Sequence, residues 1–232
     1  MTKIFIVHYK KLVDRKKYLN LALQYFADKN KLEFVEDYDR DFIKDYDTMY
    51  YKNEFLWNDR VKNLYKEEPK YRDLKFSEIC NSLSHLEAMK RILKQDLDNA
   101  IILEDDVIIN DDFLNKINIF KKEMGNQFKK YDLGFFGTSF SMNILDDANL
   151  SESIKVDTNT YIKIPGKTRC VDGYLITKDA AKKILDNIKE IVLPFDFELN
   201  YFLKKLNMNI YWYDPGFISQ GSQTGQYKSS IR

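Results

Sequence analysis

Short apolar runs alternate with amphipathic stretches along most of the chain. Ile4 to Tyr9 is a brief, β-branched run and predicts a buried first strand. Leu19, Leu23 and Phe26 then fall on one helical face, with Asp14 placed to cap that helix. Ser77 to Leu93 predicts a second helix, because Ile79, Leu83, Leu86, Met89 and Leu93 recur at spacings of three and four; Ser77 is its expected N-cap. Asn99 to Ile109 predicts strand, interrupted by Glu104-Asp105-Asp106. A helix over Phe113 to Met124, a strand over Leu133 to Gly137, an edge strand at 160–164 and a strand over Cys170 to Thr177 follow. Ala181, Ile184, Leu185 and Ile188 mark the next helix, Pro194 breaks the chain before a helix that runs to Leu206, and Ile210 to Tyr213 reads as the last strand. Strands alternating with helices predict an α/β fold: one domain over 1–232, built on a mostly parallel sheet covered on both faces.

Two segments break this rhythm. Residues 36–75 are rich in Tyr, Asp, Lys and Asn and read as an irregular insertion with short helical pieces. Within it, Tyr50, Tyr51 and Trp57 either stack on a sugar or base or form the insertion's own core. Residues 220–232 are Gly-, Ser- and Gln-rich and read as a flexible, basic tail.

Composition narrows the class. With 37 Lys+Arg against 36 Asp+Glu, the net charge of +1 argues against a nucleic-acid partner. Lys10, Lys11, Arg15, Lys16 and Lys17 nevertheless cluster, either as a solvated helix face or facing an anion. Cys80 and Cys170 are too few and too separated for a disulfide framework, so a reducing, cytoplasmic setting is expected. No apolar run is long enough to span a bilayer, which leaves peripheral membrane contact open.

The triplet carries the clearest chemistry. Residues two apart in a strand share a face, so Glu104 and Asp106 should point together and Asp105 away. Carboxylates flanked by apolar runs are costly to bury unless a cation, donors or water meet them. Hard oxygen ligands suit Mn²⁺ or Mg²⁺, ions that commonly keep substrate phosphates in their coordination. A strand end that simply opens into solvent is the plain alternative.

Several segments, in order along nearly the whole chain, resemble glycosyltransferase family 25, the group that includes lipooligosaccharide glycosyltransferases and collagen galactosyltransferases. They are Ile4-Phe5-Ile6-Val7 with Asp14-Arg15; the helix containing Leu83-Ser84-His85; Ala100 to Val107, which reads AIILEDDV; Gly173-Tyr174-Leu175-Ile176 with its following helix; Leu193-Pro194-Phe195-Asp196; and Tyr213-Asp214-Pro215 onward. The resemblance implies a GT-A-like fold, a nucleoside-diphosphate sugar donor such as UDP-galactose, a glycan or glycoconjugate acceptor that a membrane lipid can carry, and inversion at the anomeric carbon. It makes Asp106, with Glu104, the expected ligands of Mn²⁺ or Mg²⁺, and Asp196 the expected general base, with Glu198 as fallback. Asp105 and Glu104 would hold metal-bound water or ribose hydroxyls. His8, Arg15, Ser84, His85, Asp172 and Lys228 are the remaining expected donor contacts, with Arg15 and Lys228 facing the diphosphate. The sequence departs from the family at Asp172-Gly173-Tyr174, where many members carry a "THAY"-like stretch. It departs again at Gln220, where related folds often supply a metal-binding His. A nucleotidyltransferase and a catalytically inactive nucleotide-sugar binder are the competing readings; no G-x-x-x-x-G-K-[ST] phosphate loop is present.

Overall fold

The computed structural model describes residues 2–41, 53–62, 64, 70–127, 130–137, 144, 151–164 and 167–228. Its strands are β1 (Lys3–Val7), β2 (Leu32–Val35), β3 (Asn99–Glu104), β4 (Val107–Ile109), β5 (Leu133–Phe135), β6 (Ser153–Lys155), β7 (Thr160–Lys163), β8 (Gly173–Thr177), β9 (Ile210–Tyr213) and β10 (Ile218–Gln220). Its helices are α1 (Val13–Ala22), α2 (Gln24–Ala27), α3 (Glu54–Lys62), α4 (Phe76–Lys94), α5 (Phe113–Gly125), α6 (Lys178–Asn187), α7 (Phe195–Lys205) and α8 (Gly221–Thr224). Eight strands form one sheet in the order β2-β1-β3-β8-β5-β9-β7-β6, while β4 and β10 pair separately.

The apolar runs explain the layers. Along β1, Phe5 and Val7 enter one core and Ile4 and Ile6 the other; along β3, Ile102 and Ile101 divide the same way. The first core is closed by α4, α6 and α7 through Ile79, Met89, Ile92, Ala181, Ile184, Leu199 and Leu203. The second is closed by α1, α2 and α5 through Leu19, Phe26, Ile117 and Phe120. Both faces of β1 and β3 are dry, so nearly every position in them is apolar, and each large side chain so buried stabilises the fold by about 1.5–3 kcal/mol.

The sheet is mixed, not mostly parallel. β1 is parallel to β2 and β3, and β5 to β9. By contrast, β8 runs antiparallel to both β3 and β5, and β7 antiparallel to β9 and β6. The stretch at 160–164 is therefore not an edge: β6 lies outside β7. Helix starts also shift. Leu12, not Asp14, precedes α1, and Lys75, not Ser77, precedes α4, where the Lys75 N–H donates to Glu78 Oε2 at 2.8 Å. Thr177 does cap α6, its Oγ1 accepting from Ala180 N at 3.2 Å.

Two features position the site. The triplet ends β3, and the chain turns there and leaves the main sheet as β4. β10 then pairs antiparallel to β4 with Gln220 opposite Val107, which brings the C-terminal segment back over the triplet. The supposed flexible tail is thus held as far as Lys228: Gly221 N donates to Asp106 O at 2.6 Å, and Tyr227 N donates to Gly221 O at 3.0 Å. Gly221 is required by this closure, because a Cβ there would sit 2.5 Å from the Tyr227 ring and 3.0 Å from Asp106 O. Arg232 and the rest of 229–232 lie outside the described residues, as do Tyr50 and Tyr51.

Candidate functional site

Two clefts meet above the end of β3. The first is lined by the end of β1 (Val7, His8, Tyr9), by Tyr38, Asp39 and Arg40 beyond β2, by Ser77, Cys80, Asn81 and Ser84 of α4, and by the triplet. Its empty space, open mouth included, is about 630 Å³. The second, of about 1210 Å³, runs over Arg72, Lys75 and Glu78 to Cys170, Val171 and the start of α7 at Phe195-Asp196-Phe197. Asn81, Glu104, Gln220 and Ser222 border both.

The three acids of the triplet have different environments. Asp105 is an internal counter-charge: its Oδ1 accepts from Arg15 Nη1 at 2.6 Å, and its Oδ2 accepts from Tyr9 N at 3.0 Å and lies 3.0 Å from His8 Nδ1. Glu104 turns the other way, toward α4. Asn81 Nδ2 donates to its Oε1 at 3.1 Å and Gln220 Nε2 to its Oε2 at 3.3 Å. Asp106 is buried beside it, bonded by the Ser222 hydroxyl, while its Oδ1 has no partner. Burial pushes Glu104 up to about 7, with the neighbouring Asp105 adding to the shift against the opposing Asn81 and Arg15. Burial and then the Glu104 charge push Asp106 to about 7 as well. Two adjacent acids raised together, one with an orphaned oxygen, form a site that gains by meeting a cation.

A sequence model of glycosyltransferase family 25, described as an LPS biosynthesis protein, matches residues 1–199. The chain belongs to glycosyltransferase family 25. A search of curated proteins found no match to it. This glycosyltransferase therefore carries its family's signature through the first cleft and into α7, whereas Gln220, Ser222 and the closing segment lie beyond the matched residues.

In this family 25 enzyme Asp196 is one of the acids that line the second cleft. It is the second residue of α7, not the cap, which is Pro194. Asp196 lines the second cleft half-buried, and burial raises its carboxyl to about 6 against the opposing pull of the Phe197 N–H. Glu198, the expected fallback base, is a structural acid. It is fully buried and ion-paired with Arg60, and its Oε1 accepts from Val192 N at 2.6 Å and Leu193 N at 2.9 Å.

The other expected contacts have the following surroundings. Arg15 is engaged by the protein: Nη1 holds Asp105, Nη2 donates to Lys228 O at 2.6 Å, and its Cζ lies 4.9 Å from the Tyr227 ring centroid. Lys228 enters this arrangement through its main-chain carbonyl. His85 lies beneath the clefts, wholly buried and stacked on Phe195 at 4.4 Å, with Nδ1 3.0 Å from Tyr174 Oη and Nε2 3.7 Å from Glu104 Oε1. Burial lowers its pKa to about 3, so it is neutral, and its Nε2 is buried without a hydrogen-bond partner. Ser84 lines the first cleft with its Oγ donating to Cys80 O at 2.9 Å. Asp172 is buried, and its Oδ1 accepts from Gly173 N at 3.1 Å. His8 lines the first cleft.

The basic cluster resolves into local pairs: Lys16 with Glu36 at 2.6 Å, Lys11 with Asp41 at 2.9 Å, and Lys17 with Asp14 at 3.7 Å. Trp57 packs with Val61, Val192, Leu193 and Tyr71, so it is insertion core and not a stacking platform. Asn81, Ser222 and Tyr174 join Glu104, Asp106 and His85 without being singled out by the sequence, and Gln220, noted there only as a departure from a metal-binding His, reaches Glu104. Asn81 carried a signal, three positions before Ser84 on the same helix; the others come to the site through long-range pairing.

No three His, Cys, Asp or Glu side chains converge as a cage among the described residues. The arrangement suits an ion held by one or two carboxylates and completed by water and substrate phosphates, as Mg²⁺-type ions commonly are. Cys80 and Cys170 are free thiols, and no helix among the described residues is long and apolar enough to cross a membrane.

Proposed function

We propose that this family 25 glycosyltransferase is a metal-dependent, inverting hexosyltransferase of GT-A type. It moves galactose from UDP-galactose onto a hydroxyl of a glycan or glycoconjugate in lipopolysaccharide biosynthesis. The observation that carries this reading is the pairing of Glu104 and Asp106, both raised to about 7, with Asp106 Oδ1 unpartnered at the first cleft.

The first cleft takes the nucleotide. Asp106 would be the direct ligand of Mn²⁺ or Mg²⁺ and Glu104 the second, and a bound ion would supply positive charge to the leaving diphosphate. Asn81 and Gln220 hold the Glu104 carboxylate in place. The second cleft takes the acceptor. Asp196 accepts the proton of the acceptor hydroxyl as that oxygen bonds to the anomeric carbon and the carbon–phosphate oxygen bond breaks. A carboxyl titrating at about 6 is ionised at neutral pH yet basic enough to help.

The test is sugar release from a panel of UDP-hexoses with Mn²⁺, with water and with core oligosaccharide as acceptors. UDP-galactose is expected to turn over and chelator to stop it. A protein that binds UDP-sugars but releases none from any donor is a binder and not a transferase.

A further inference from the structure

One face of α4 continues past the first cleft to a residue that the transfer chemistry does not use. Ser77, Asn81 and Ser84 line the cleft at helical spacing. Arg91 lies two turns beyond Ser84 on the same face, roughly 10 Å further along the axis, and is not among the residues that line the cleft. Its side chain is 18% exposed and all three guanidinium nitrogens are engaged. Nη1 donates to Glu33 Oε1 at 2.7 Å and to Phe34 O at 3.3 Å, Nε donates to Glu87 Oε1 at 3.4 Å, and Nη2 is bonded to Asp37 Oδ2. β2 is the outermost strand on its side of the sheet, so this one side chain ties the sheet's edge, and the chain that leaves it, to α4.

Asp37 opens the segment that completes the cleft. Tyr38, Asp39 and Arg40 follow it and line the cleft together with α4, whereas Asp37 itself does not line it and is 46% exposed at its side chain. At the other end of the segment Asp41 accepts from Tyr9 Oη and Lys11 Nζ, both at 2.9 Å. The segment is thus pinned to α4 at Asp37 and to the loop after β1 at Asp41. A binding site works only where residues behind it hold its walls to within about 0.5 Å. We propose that Arg91 is a positioning residue for donor binding: from outside the cleft it sets the spacing between residues 38–40 and α4, and so the width of the first cleft. Removing it leaves Glu33, Asp37 and Glu87 around a lost counter-charge, and their repulsion drives the segment away from α4. This rests on the reading of the first cleft as the donor site.

Calorimetry with UDP and Mn²⁺, and kinetics with the UDP-hexose that the enzyme turns over, test it on the full chain with Arg91→Ala, Asp37→Ala and the double variant. Each single variant should bind UDP about tenfold more weakly, a usual size for coupling through residues that do not touch the ligand. Donor KM should rise by a similar factor while kcat stays within about twofold, because Glu104, Asp106 and Asp196 belong to other elements. The double variant should lose no more than Arg91→Ala alone, since both changes remove one tie. A half-exposed ion pair adds little to stability, so Asp37→Ala is expected to fold and carries the test by itself should Arg91→Ala not. Three results overturn the proposal. One is an unchanged UDP affinity and donor KM in Asp37→Ala, which leaves Arg91 a prop of the fold alone. Another is a fall in kcat with donor KM unchanged in Arg91→Ala. The third is a pair of losses that multiply in the double variant. Failure of wild type to bind UDP overturns the donor-site reading itself, a separate outcome.

Discussion

Arg15 donates from Nη1 to Asp105 Oδ1 at 2.6 Å, with both side chains more than nine-tenths buried. The middle acid of the triplet is thereby spent on the fold, and its neighbours on the site. Breaking a buried pair by removing one partner leaves the other charge uncompensated, at about 3–5 kcal/mol. Asp105→Asn should therefore lower stability by about that amount in a denaturant melt. Asp106→Asn, which replaces an acid already raised to about 7, should cost little or no stability. Equal destabilisation by the two would mean that the division of labour within the triplet is wrong.

That division was partly legible. Strand alternation put Glu104 and Asp106 on one face and Asp105 on the other, and β3 ends with Glu104 toward α4 and Asp105 toward α1. Less legible was anything set by long-range pairing. β2 was missed because Leu32-Glu33-Phe34-Val35 is short and carries an acid, and Glu33 is tolerated there because Lys3 and Arg91 meet it at 2.9 and 2.7 Å. Strand direction has no local signature, so β8 running against β3 could not be foreseen. β10 spans three residues and exists through its pairing with β4, which is why Gln220 was read as tail when it reaches Glu104. The burial of Asp39 and Glu198 follows from packing alone.

Asp196 links activity to pH. With its carboxyl at about 6, turnover should fall about tenfold per pH unit below that value. The stability effect has the opposite sense. A carboxyl raised in the folded state contributes stability that is present below its unfolded value near 4 and is lost as pH rises through about 6. Asp196→Asn never ionises, so it should melt higher than wild type at pH 8 and alike at pH 4, while losing about a hundred- to ten-thousand-fold in transfer rate. A variant with near-normal transfer at pH 8 would remove Asp196 from the base role.

Glu198 separates stability from catalysis in the other direction. Glu198→Gln leaves Arg60 buried without its counter-charge and should lose about 3–5 kcal/mol. The protein that remains folded should transfer sugar at close to the normal rate per folded molecule. A fully stable variant with abolished turnover would return Glu198 to the list of bases.

The closing segment should matter for the donor. Truncation after Gly221 removes the Ser222 hydroxyl from Asp106 and the Tyr227 ring and Lys228 carbonyl from Arg15. UDP affinity should drop by about tenfold or more, and melting temperature should fall with it, because a partly buried cation–aromatic contact is worth up to about 2 kcal/mol. Normal binding and melting in the truncated protein would reduce the segment to a terminus.

The most direct measurement is the affinity of UDP by calorimetry with Mn²⁺ and with chelator, for wild type and for Asp106→Asn. Wild type should bind UDP much more tightly with Mn²⁺, and Asp106→Asn, still folded, should show little difference between the two conditions. Equal affinities for wild type with and without the ion, or an Asp106→Asn protein that keeps the full Mn²⁺ enhancement, would contradict a donor site built on Asp106 and Glu104.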